Sequence, residues 1–153
     1  MKLNKLTTLF LATAALAAGA CQKSIEYRDV VYFTGTESSP MTSMYVEGPT
    51  ALGLTVTTSN KLESQMTVGV KVDPAALASF SEAQGVDYVM LPEGSYKLDE
   101  NSFTVEAGKN VSLPVKFEIT SMDDFVDGAK YCVPITLTQT SNGMDILKAS
   151  KTT

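Results

Sequence analysis

Two cysteines and the absence of histidine set the limits on the chemistry available to this chain. The 153 residues include Cys21 and Cys132, no histidine and no tryptophan. Without histidine, the Ser–His and Cys–His nucleophile systems are excluded, and so are most zinc and transition-metal sites. The sequence therefore predicts a protein that is not an enzyme, with no catalytic residue, no metal site and no cofactor.

Cys21 lies at the end of an N-terminal apolar segment. Residues 1–5 carry two lysines, residues 6–16 are apolar apart from three threonines, and the small residues AAGA precede the cysteine. This pattern is typical of a secretory signal peptide, and it is too short for a permanent membrane span. We expect residues 1–20 to be a signal peptide and residues 21–27 to be a tether.

The position of Cys21 favours lipidation. A bacterial lipoprotein signal peptide is cut directly before a cysteine that then takes acyl chains, although Ala18 stands here where leucine is usual. One alternative is a plain secretory cut followed by a Cys21–Cys132 disulfide, because an exported protein meets an oxidising compartment. The other alternative is that Cys21 is a catalytic or metal-ligand cysteine. Lipidation makes Cys21 the attachment point to a membrane.

The charge balance excludes two classes of partner. The net charge is −5, and no cluster of lysine or arginine is present. Nucleic acids and anionic lipid surfaces are bound through such clusters. We therefore expect no nucleic-acid partner.

Two groups of acidic residues are candidates for a metal site or a pair of catalytic carboxylates. Asp123, Asp124 and Asp127 could bind calcium. The favoured alternative is that Ser121 and these acids cap a short helical turn and complement its dipole. Asp99 and Glu100 are expected at a hairpin tip, whereas a glycosidase needs two carboxylates across a substrate cleft.

Three tyrosines are candidates for glycan contact, namely Tyr45, Tyr88 and Tyr96. An aromatic ring with a polar hydroxyl can stack on a sugar and still reach water. The alternative is that these residues are half-buried packing residues at strand ends with a solvated hydroxyl.

Most of the remaining pattern is that of β-strands. Apolar residues recur at every second position in four segments, which indicates strands with one face on a core. So many alternating strands in a short chain favour an antiparallel β-sandwich. The expected core residues are Leu52, Leu54, Val56, Met66, Val68, Val70, Val72, Val111, Leu113, Val115, Phe117, Ile119, Val133, Ile135 and Leu137.

Shorter elements complete the prediction. Strands 96–98 and 103–105 are expected to form a tight hairpin across residues 99–101. A helix is expected between Asp73-Pro74 and Gly85, with Asp73 as its cap. Strict alternation places Cys132 outside the main core, as a small residue buried under a loop.

The helix side chains and two prolines give further predictions about packing. Leu77 and Phe80 of the helix should pack against the sheet. Pro114 and Pro134 should lie at a strand edge or a bulge, because proline donates no ladder hydrogen bond.

Several stretches in order resemble a known family. They are VGVKVDPAALASFSEAQGVDYVMLPEGSY at 68–96, FTVEAGKNVSLPVKF at 103–117 and YCVPITLT at 131–138. Together they resemble a family of N-terminal domains of unknown function in surface lipoproteins of glycan-foraging gut bacteria. The resemblance implies an immunoglobulin-like domain over residues 28–153 that follows a lipidated cysteine and often precedes a catalytic or carbohydrate-binding domain. It carries over no catalytic residue.

One departure from the family concerns the end of the sequence. Family domains usually have one more strand after the segment that matches LKASKTT at 147–153. The final strand is therefore either missing or replaced by another way of completing the domain.

The expected function is that of a non-catalytic accessory module of an outer-membrane surface lipoprotein in polysaccharide binding and utilisation. Its partners would be the membrane, through the lipid, and a polysaccharide or a downstream domain. We expect display on the cell surface, with the periplasmic face as the alternative. The alternative function is a pilin- or adhesin-type subunit completed by a donated strand.

Overall fold

A computed structural model describes residues 29–36 and 39–153 of the chain. The expected signal peptide, Cys21 and most of the tether lie outside these residues. Within the described part no helix has the length and apolar character needed to cross a membrane.

Eleven strands and one α-helix make up the described part of the domain. The strands are β1 (Val30–Phe33), β2 (Thr50–Leu54), β3 (Val56–Thr58), β4 (Met66–Val72), β5 (Tyr88–Met90), β6 (Tyr96–Leu98), β7 (Ser102–Val105), β8 (Val115–Ile119), β9 (Lys130–Cys132), β10 (Ile135–Thr140) and β11 (Asp145–Ile146). The helix α1 covers Leu77–Gln84, and 3₁₀ turns cover Pro74–Ala76 and Lys148–Ser150.

The strands form three three-stranded sheets and one two-stranded pair. The orders are β11-β1-β3, β10-β4-β7 and β2-β8-β6, with β5 beside β9. Pairing is antiparallel except between β1 and β11 and between β5 and β9. The predicted mainly β, immunoglobulin-like sandwich with one short helix is confirmed.

The core follows the alternation of β4. Met66, Val68 and Val70 are buried, whereas Thr67 and Lys71 between them are not. Two aromatic rings close the core, since Phe33 and Phe103 meet edge to face at a centroid distance of 5.9 Å. The period of two in this segment therefore predicted the buried face correctly.

Pro134 lies just before β10, where buried and exposed residues stop alternating along the chain. Pro134 stands between β9, which pairs with β5, and β10, which pairs with β4. The chain changes sheet at this point, and Pro134 and Thr136 are buried together with Ile135 and Leu137. The register of β10 with β4 is regular over Ile135, Thr136 and Leu137, so the two faces still alternate here, and Thr136 is covered on its own face by Thr152, whose hydroxyl lies 2.8 Å from that of Thr136. Pro134 does lie at a break in the strand, as expected.

The segment before β8 was expected to alternate as well, and there the prediction is wrong. Val111 and Leu113 are 43% and 54% exposed, whereas Ser112 is buried. The Ser112 hydroxyl accepts a hydrogen bond from the Val56 N–H at 3.0 Å. The Leu113 N–H donates to Thr104 at 2.9 Å, so the segment covers the edges of β3 and β7 before β8 begins after Pro114.

The expected hairpin between residues 96 and 105 is not formed. β6 pairs with β8, and β7 pairs with β4. Residues 99–101 cross between the two sheets, because the Asp99 N–H donates to Lys116 and the Asn101 carbonyl accepts from Val70. A short connection between two strands is therefore not enough to pair them.

The helix is present, but its predicted cap is not. Gly85 ends α1 with a left-handed φ of 62°, as expected for that position. Asp73 makes no side-chain cap hydrogen bond, and its carboxylate lies 3.3 Å from the Lys71 ammonium. Leu77 and Phe80 are half-buried, so the helix covers the sandwich only lightly.

The last residues pair with β10. A bridge joins Thr136 to Thr152, and the Leu137 N–H donates to Lys151 at 2.9 Å. The segment matching LKASKTT therefore lies along a sheet edge in the described structure.

Candidate functional site

A cavity of about 740 Å³ opens on one side of the sandwich. Its volume falls within the range of about 300–1,000 Å³ that is usual for small-molecule sites. Leu52 and Leu54 of β2 are only half-buried where they line the cavity, whereas Phe117 and Ile119 of β8 line it and are buried. The apolar wall consists of Leu52, Leu54, Leu91, Phe117, Ile119, Val133 and Ile135.

Residues 41–46, here called the strap, cover part of the cavity. Its side chains Met41, Met44 and Val46 are apolar and line the space. No backbone–backbone hydrogen bond joins the strap to the other described residues. The Tyr88 hydroxyl donates to the Met41 sulfur at 3.6 Å. Side-chain packing therefore supplies most of what holds the strap in place.

The three candidate tyrosines occupy different positions. Tyr45 belongs to the strap and is 92% exposed at the cavity mouth. Tyr88 lines the same cavity from β5. Tyr96 is not among the lining residues; its ring stacks on Phe117 at 5.8 Å and 29°. The structure thus brings Tyr45 and Tyr88 to one site and uses Tyr96 for packing.

The loop before β9 forms the opposite rim. The Phe125 and Tyr131 rings lie 4.7 Å apart, and the Tyr131 oxygen accepts from the Val126 N–H at 2.8 Å. These contacts hold Val126 and Asp127 at the rim. Among the described residues that line the cavity, Asp127 alone has a charged side chain.

The predicted helical turn at residues 121–128 is not formed, and Ser121 contacts Asp123 instead of capping a helix. The Ser121 oxygen accepts from the Asp123 N–H at 3.1 Å and bonds to the Asp123 carboxylate at 2.9 Å. The loop forms two successive turns and no helix. In the described part of the chain no three acidic, cysteine or histidine side chains are placed to hold one metal ion.

Cys132 is a free, half-buried thiol in the cavity wall. It lies outside the main core, as alternation indicated, but on strand β9 and not beneath a loop. Its position follows from the pairing of β9 with β5, which turns this part of the chain toward the cavity. Burial raises the pKa of the thiol, so the thiolate is scarce at neutral pH.

A chain of ion pairs lies on the outer side of β6 and β8. Asp99 contacts Lys97 at 2.8 Å and Lys116 at 3.5 Å, and Lys116 contacts Glu118 at 2.9 Å. The hydrogen bond from Lys97 lowers the pKa of Asp99, and the hydrogen bond to Glu118 raises the pKa of Lys116. Asp99 is therefore held by two lysines just after the end of β6.

Sequence reasoning missed several residues of the site. The strap has no periodic pattern, so Met41, Met44 and Val46 gave no sign of a shared role. Their apolar character within a non-periodic stretch was the available signal. Leu91, Met122 and Ala129 also line the cavity without having been singled out.

The sequence matches one family model over most of its length. The model describes an N-terminal domain and matches residues 26–144. No curated protein matches the sequence at a significant level.

Several solved structures share the fold. A protein of Bacteroides ovatus ATCC 8483 described as carbohydrate binding has a TM-score of 0.65 and 21% identity, over 80% of this chain and 35% of its own. EndoBT-3987 of Bacteroides thetaiotamicron, with Man5GlcNAc product, has a TM-score of 0.57 and 21% identity, over 67% of this chain and 24% of its own.

A two-domain protein of Bacteroides fragilis NCTC 9343, with unknown function, has a TM-score of 0.60 and 14% identity, over 99% of this chain and 49% of its own. The chain thus spans from about a quarter to a half of the length of these proteins. At these identities the likeness shows the fold alone.

Proposed function

Since the chain belongs to the family of N-terminal domains whose model matches residues 26–144, we propose that it is a non-catalytic accessory module of an outer-membrane surface lipoprotein in polysaccharide binding and utilisation. The family match carries the proposal, because the matched region begins at residue 26, within the tether that would follow a lipidated Cys21. The domain acts there as a spacer or as a glycan-contacting surface.

The neighbours in fold support an accessory role. One is described as carbohydrate binding, and another holds a Man5GlcNAc product. This chain corresponds to 35% and 24% of those two proteins. A domain of this kind therefore occurs within larger proteins that handle glycans.

The cavity supports a non-catalytic role. Glycoside hydrolysis usually requires two carboxylates that flank the scissile bond. Of the lining residues that the structure describes, Asp127 supplies the one carboxylate side chain. Hydrolysis of any glycan by the purified protein would contradict this part of the proposal.

Tyr45 is the residue best placed for glycan contact. Its ring is 92% exposed at the cavity mouth, and an exposed aromatic face offers a stacking surface with a hydroxyl at its edge. Tyr88 lies deeper, where its hydroxyl already bonds to Met41. We therefore assign Tyr45 the primary contact and Tyr88 a supporting one.

A glycan panel tests the contact directly. We expect Tyr45→Ala to abolish measurable binding, whereas the matched control Tyr45→Phe retains the ring and most of the affinity. Both variants should keep the wild-type melting temperature, because the side chain packs against little. If no glycan in the panel binds, or if Tyr45→Ala leaves binding unchanged, the glycan contact is ruled out and the spacer role remains.

Cys21 carries the proposed membrane attachment. We expect the wild-type protein in the membrane fraction and Cys21→Ser in the soluble fraction, because two or three acyl chains anchor a protein essentially permanently. Metabolic labelling with a fatty acid should mark the wild type alone. Unchanged membrane association of Cys21→Ser would contradict lipidation.

Protease treatment of intact cells separates the two faces of the outer membrane. Surface display predicts that the domain is digested while a periplasmic marker survives. Full protection of the domain would place it on the periplasmic face.

The pilin- or adhesin-type alternative has one observation in its favour. Within the described residues β2 pairs with β8 on one side only, so its other edge offers backbone groups to a donated strand. Polymers formed by the purified domain would favour this alternative, and a monomer at all concentrations would favour the accessory module.

A further inference from the structure

We propose that the cavity beneath the strap binds a small molecule with an apolar body and a neutral or positively charged polar end. The proposal goes beyond the glycan role and does not depend on it. It rests on the size of the cavity, on its lining and on the charge at its rim.

The interior suits an apolar group and not a sugar. Leucine, isoleucine, valine, methionine and aromatic side chains make up most of the lining. A sugar placed inside would lose water from its hydroxyls without finding enough hydrogen-bond partners, which is costly. An apolar body would instead remove the exposed wall at Leu52 and Leu54 from water. The primary glycan contact is therefore Tyr45 at the mouth.

The rim selects the charge of the polar end. Asp127 lines the cavity, and no other lining residue in the described part of the chain has a charged side chain. Residues 121–130, which include this loop, carry three aspartates and one lysine, Lys130, so the segment has a net charge of −2. A carboxylate, sulfate or phosphate would meet repulsion there, whereas an ammonium group would meet attraction.

Aromatic rings strengthen the same preference. The faces or edges of Phe80, Tyr88, Phe117, Phe125 and Tyr131 border the cavity. A cation is attracted to the face of such a ring and not to its edge, most strongly when the cation has lost its water. The lining and the rim therefore favour the same ligand class.

The strap gives the ligand a way in. Moving residues 41–46 breaks no backbone–backbone hydrogen bond to the other described residues. Met41 and Met44 have flexible, polarisable side chains that can repack around different shapes. Entry therefore leaves all the strand pairs intact.

Two amphiphiles of equal chain length test the charge preference. Decyltrimethylammonium and decanoate, each below its micelle concentration, compete with the neutral fluorescent probe N-phenyl-1-naphthylamine. We expect the ammonium compound to bind about five- to tenfold more tightly than the carboxylate. Asp127→Asn should reduce this ratio without weakening the neutral probe, because only the charge changes.

A cavity-filling variant tests the location. Ala129 lines the cavity, whereas Ala51 is exposed on the opposite side of β2. Ala129→Phe should weaken the neutral probe and the ammonium compound by about tenfold or more, as expected when apolar area is no longer available to them. The matched control Ala51→Phe should leave both affinities unchanged.

Three results would overturn the proposal. They are absence of binding for all probes, decanoate affinity equal to that of the ammonium compound, and unchanged probe affinity in folded Ala129→Phe. Melting temperature and circular dichroism establish that each variant is folded. Loss of glycan binding in Tyr45→Ala with intact probe binding would show that the two sites are separate.

Discussion

Ile135 and Thr153 exchange two backbone hydrogen bonds, of 2.7 and 3.0 Å. The final residues therefore run antiparallel to β10 and occupy its edge. Beside this pair the hydroxyls of Thr136 and Thr152 bond to each other at 2.8 Å. An unpaired strand edge invites association with other chains, so this pairing protects the edge of the β10-β4-β7 sheet.

The Thr136–Thr152 hydroxyl pair makes the first prediction. Thr136 is 6% exposed, so Thr152→Val leaves a buried hydroxyl without its partner. We expect a loss of about 1–3 kcal/mol in the free energy of unfolding, measured by urea denaturation. The double variant Thr136→Val/Thr152→Val should recover most of it, because both polar groups are gone. Equal stability of the wild type and Thr152→Val would contradict the role of the pair.

Phe103 makes the second prediction. It is fully buried against Phe33, and Phe103→Ala should cost about 3–5 kcal/mol of unfolding free energy through lost burial and a cavity. Leu113→Ala is the matched control, since this leucine is 54% exposed and its loss should change stability by about 0.5 kcal/mol or less. Equal costs at the two positions would show that Leu113 is a core residue after all.

Gly69 makes the third prediction. A Cβ atom at this position of β4 would collide with the Thr138 hydroxyl, next to the bulge of β10 between Leu137 and Thr140. We expect Gly69→Ala to cost about 1–3 kcal/mol, the usual range for overpacking. Thr138→Ala in the same chain should relieve part of that cost. Thermal and urea unfolding of Gly69→Ala, Thr138→Ala and the double variant measure the effect.

Gly53 is the control for this prediction. A Cβ atom there would make ordinary contact with Pro114 at 3.5 Å. Gly53→Ala should therefore be neutral or slightly stabilising, because it lowers the entropy of the unfolded chain. A Gly69→Ala protein as stable as Gly53→Ala would show that the bulge adjusts freely.

Asp99 makes the fourth prediction, on pH dependence. Its pKa is lowered from 3.8, chiefly by the hydrogen bond from Lys97. A carboxyl whose pKa is lower in the folded state stabilises the fold above its unfolded pKa, and this contribution is lost as the pH falls below 3.8 through the folded pKa. In Asp99→Asn we expect stability to fall less steeply on acidification.

The Asp99 titration can be followed by nuclear magnetic resonance. Lys97→Met should move the pKa of Asp99 upward, toward 3.8. Added salt should do the same, because both partners are exposed to solvent. A wild-type pKa at or above 3.8 would contradict the ion pair in solution.

Cys132 makes the fifth prediction. Burial raises the pKa of its thiol above 9.0, and the thiolate is the form that reacts with alkylating agents. In a Cys21→Ser background, which leaves one thiol, we expect iodoacetamide at pH 8 to react more slowly with the folded than with the unfolded protein. Reaction as fast in the folded state would indicate an open, activated thiol.

Local patterns predicted the elements that depend on near neighbours. The alternation at Met66, Val68 and Val70 predicted a strand with one buried face, and the Asp73-Pro74 start and Gly85 end predicted the helix. Backbone preferences and side-chain periodicity act over a few residues, so their effects can be predicted from a short segment without the rest of the chain. They also indicated the mainly β sandwich.

Pairing between distant segments could not be predicted in the same way. The alternating pattern does not say which strand lies beside which. It therefore gave a hairpin at residues 96–105 that does not form, and a buried Val111 and Leu113 that are exposed. Both errors arise where the chain changes sheet or covers an edge.

The sequence by itself determined the fold class, the helix and the tyrosines that could meet a glycan. Only the tertiary structure decided that Tyr45 and Tyr88 share one cavity while Tyr96 packs on Phe117. The physical reason is that a cavity is the space left where sheet faces are incompletely covered. That space depends on the placement of all the elements around it, and no single segment encodes it.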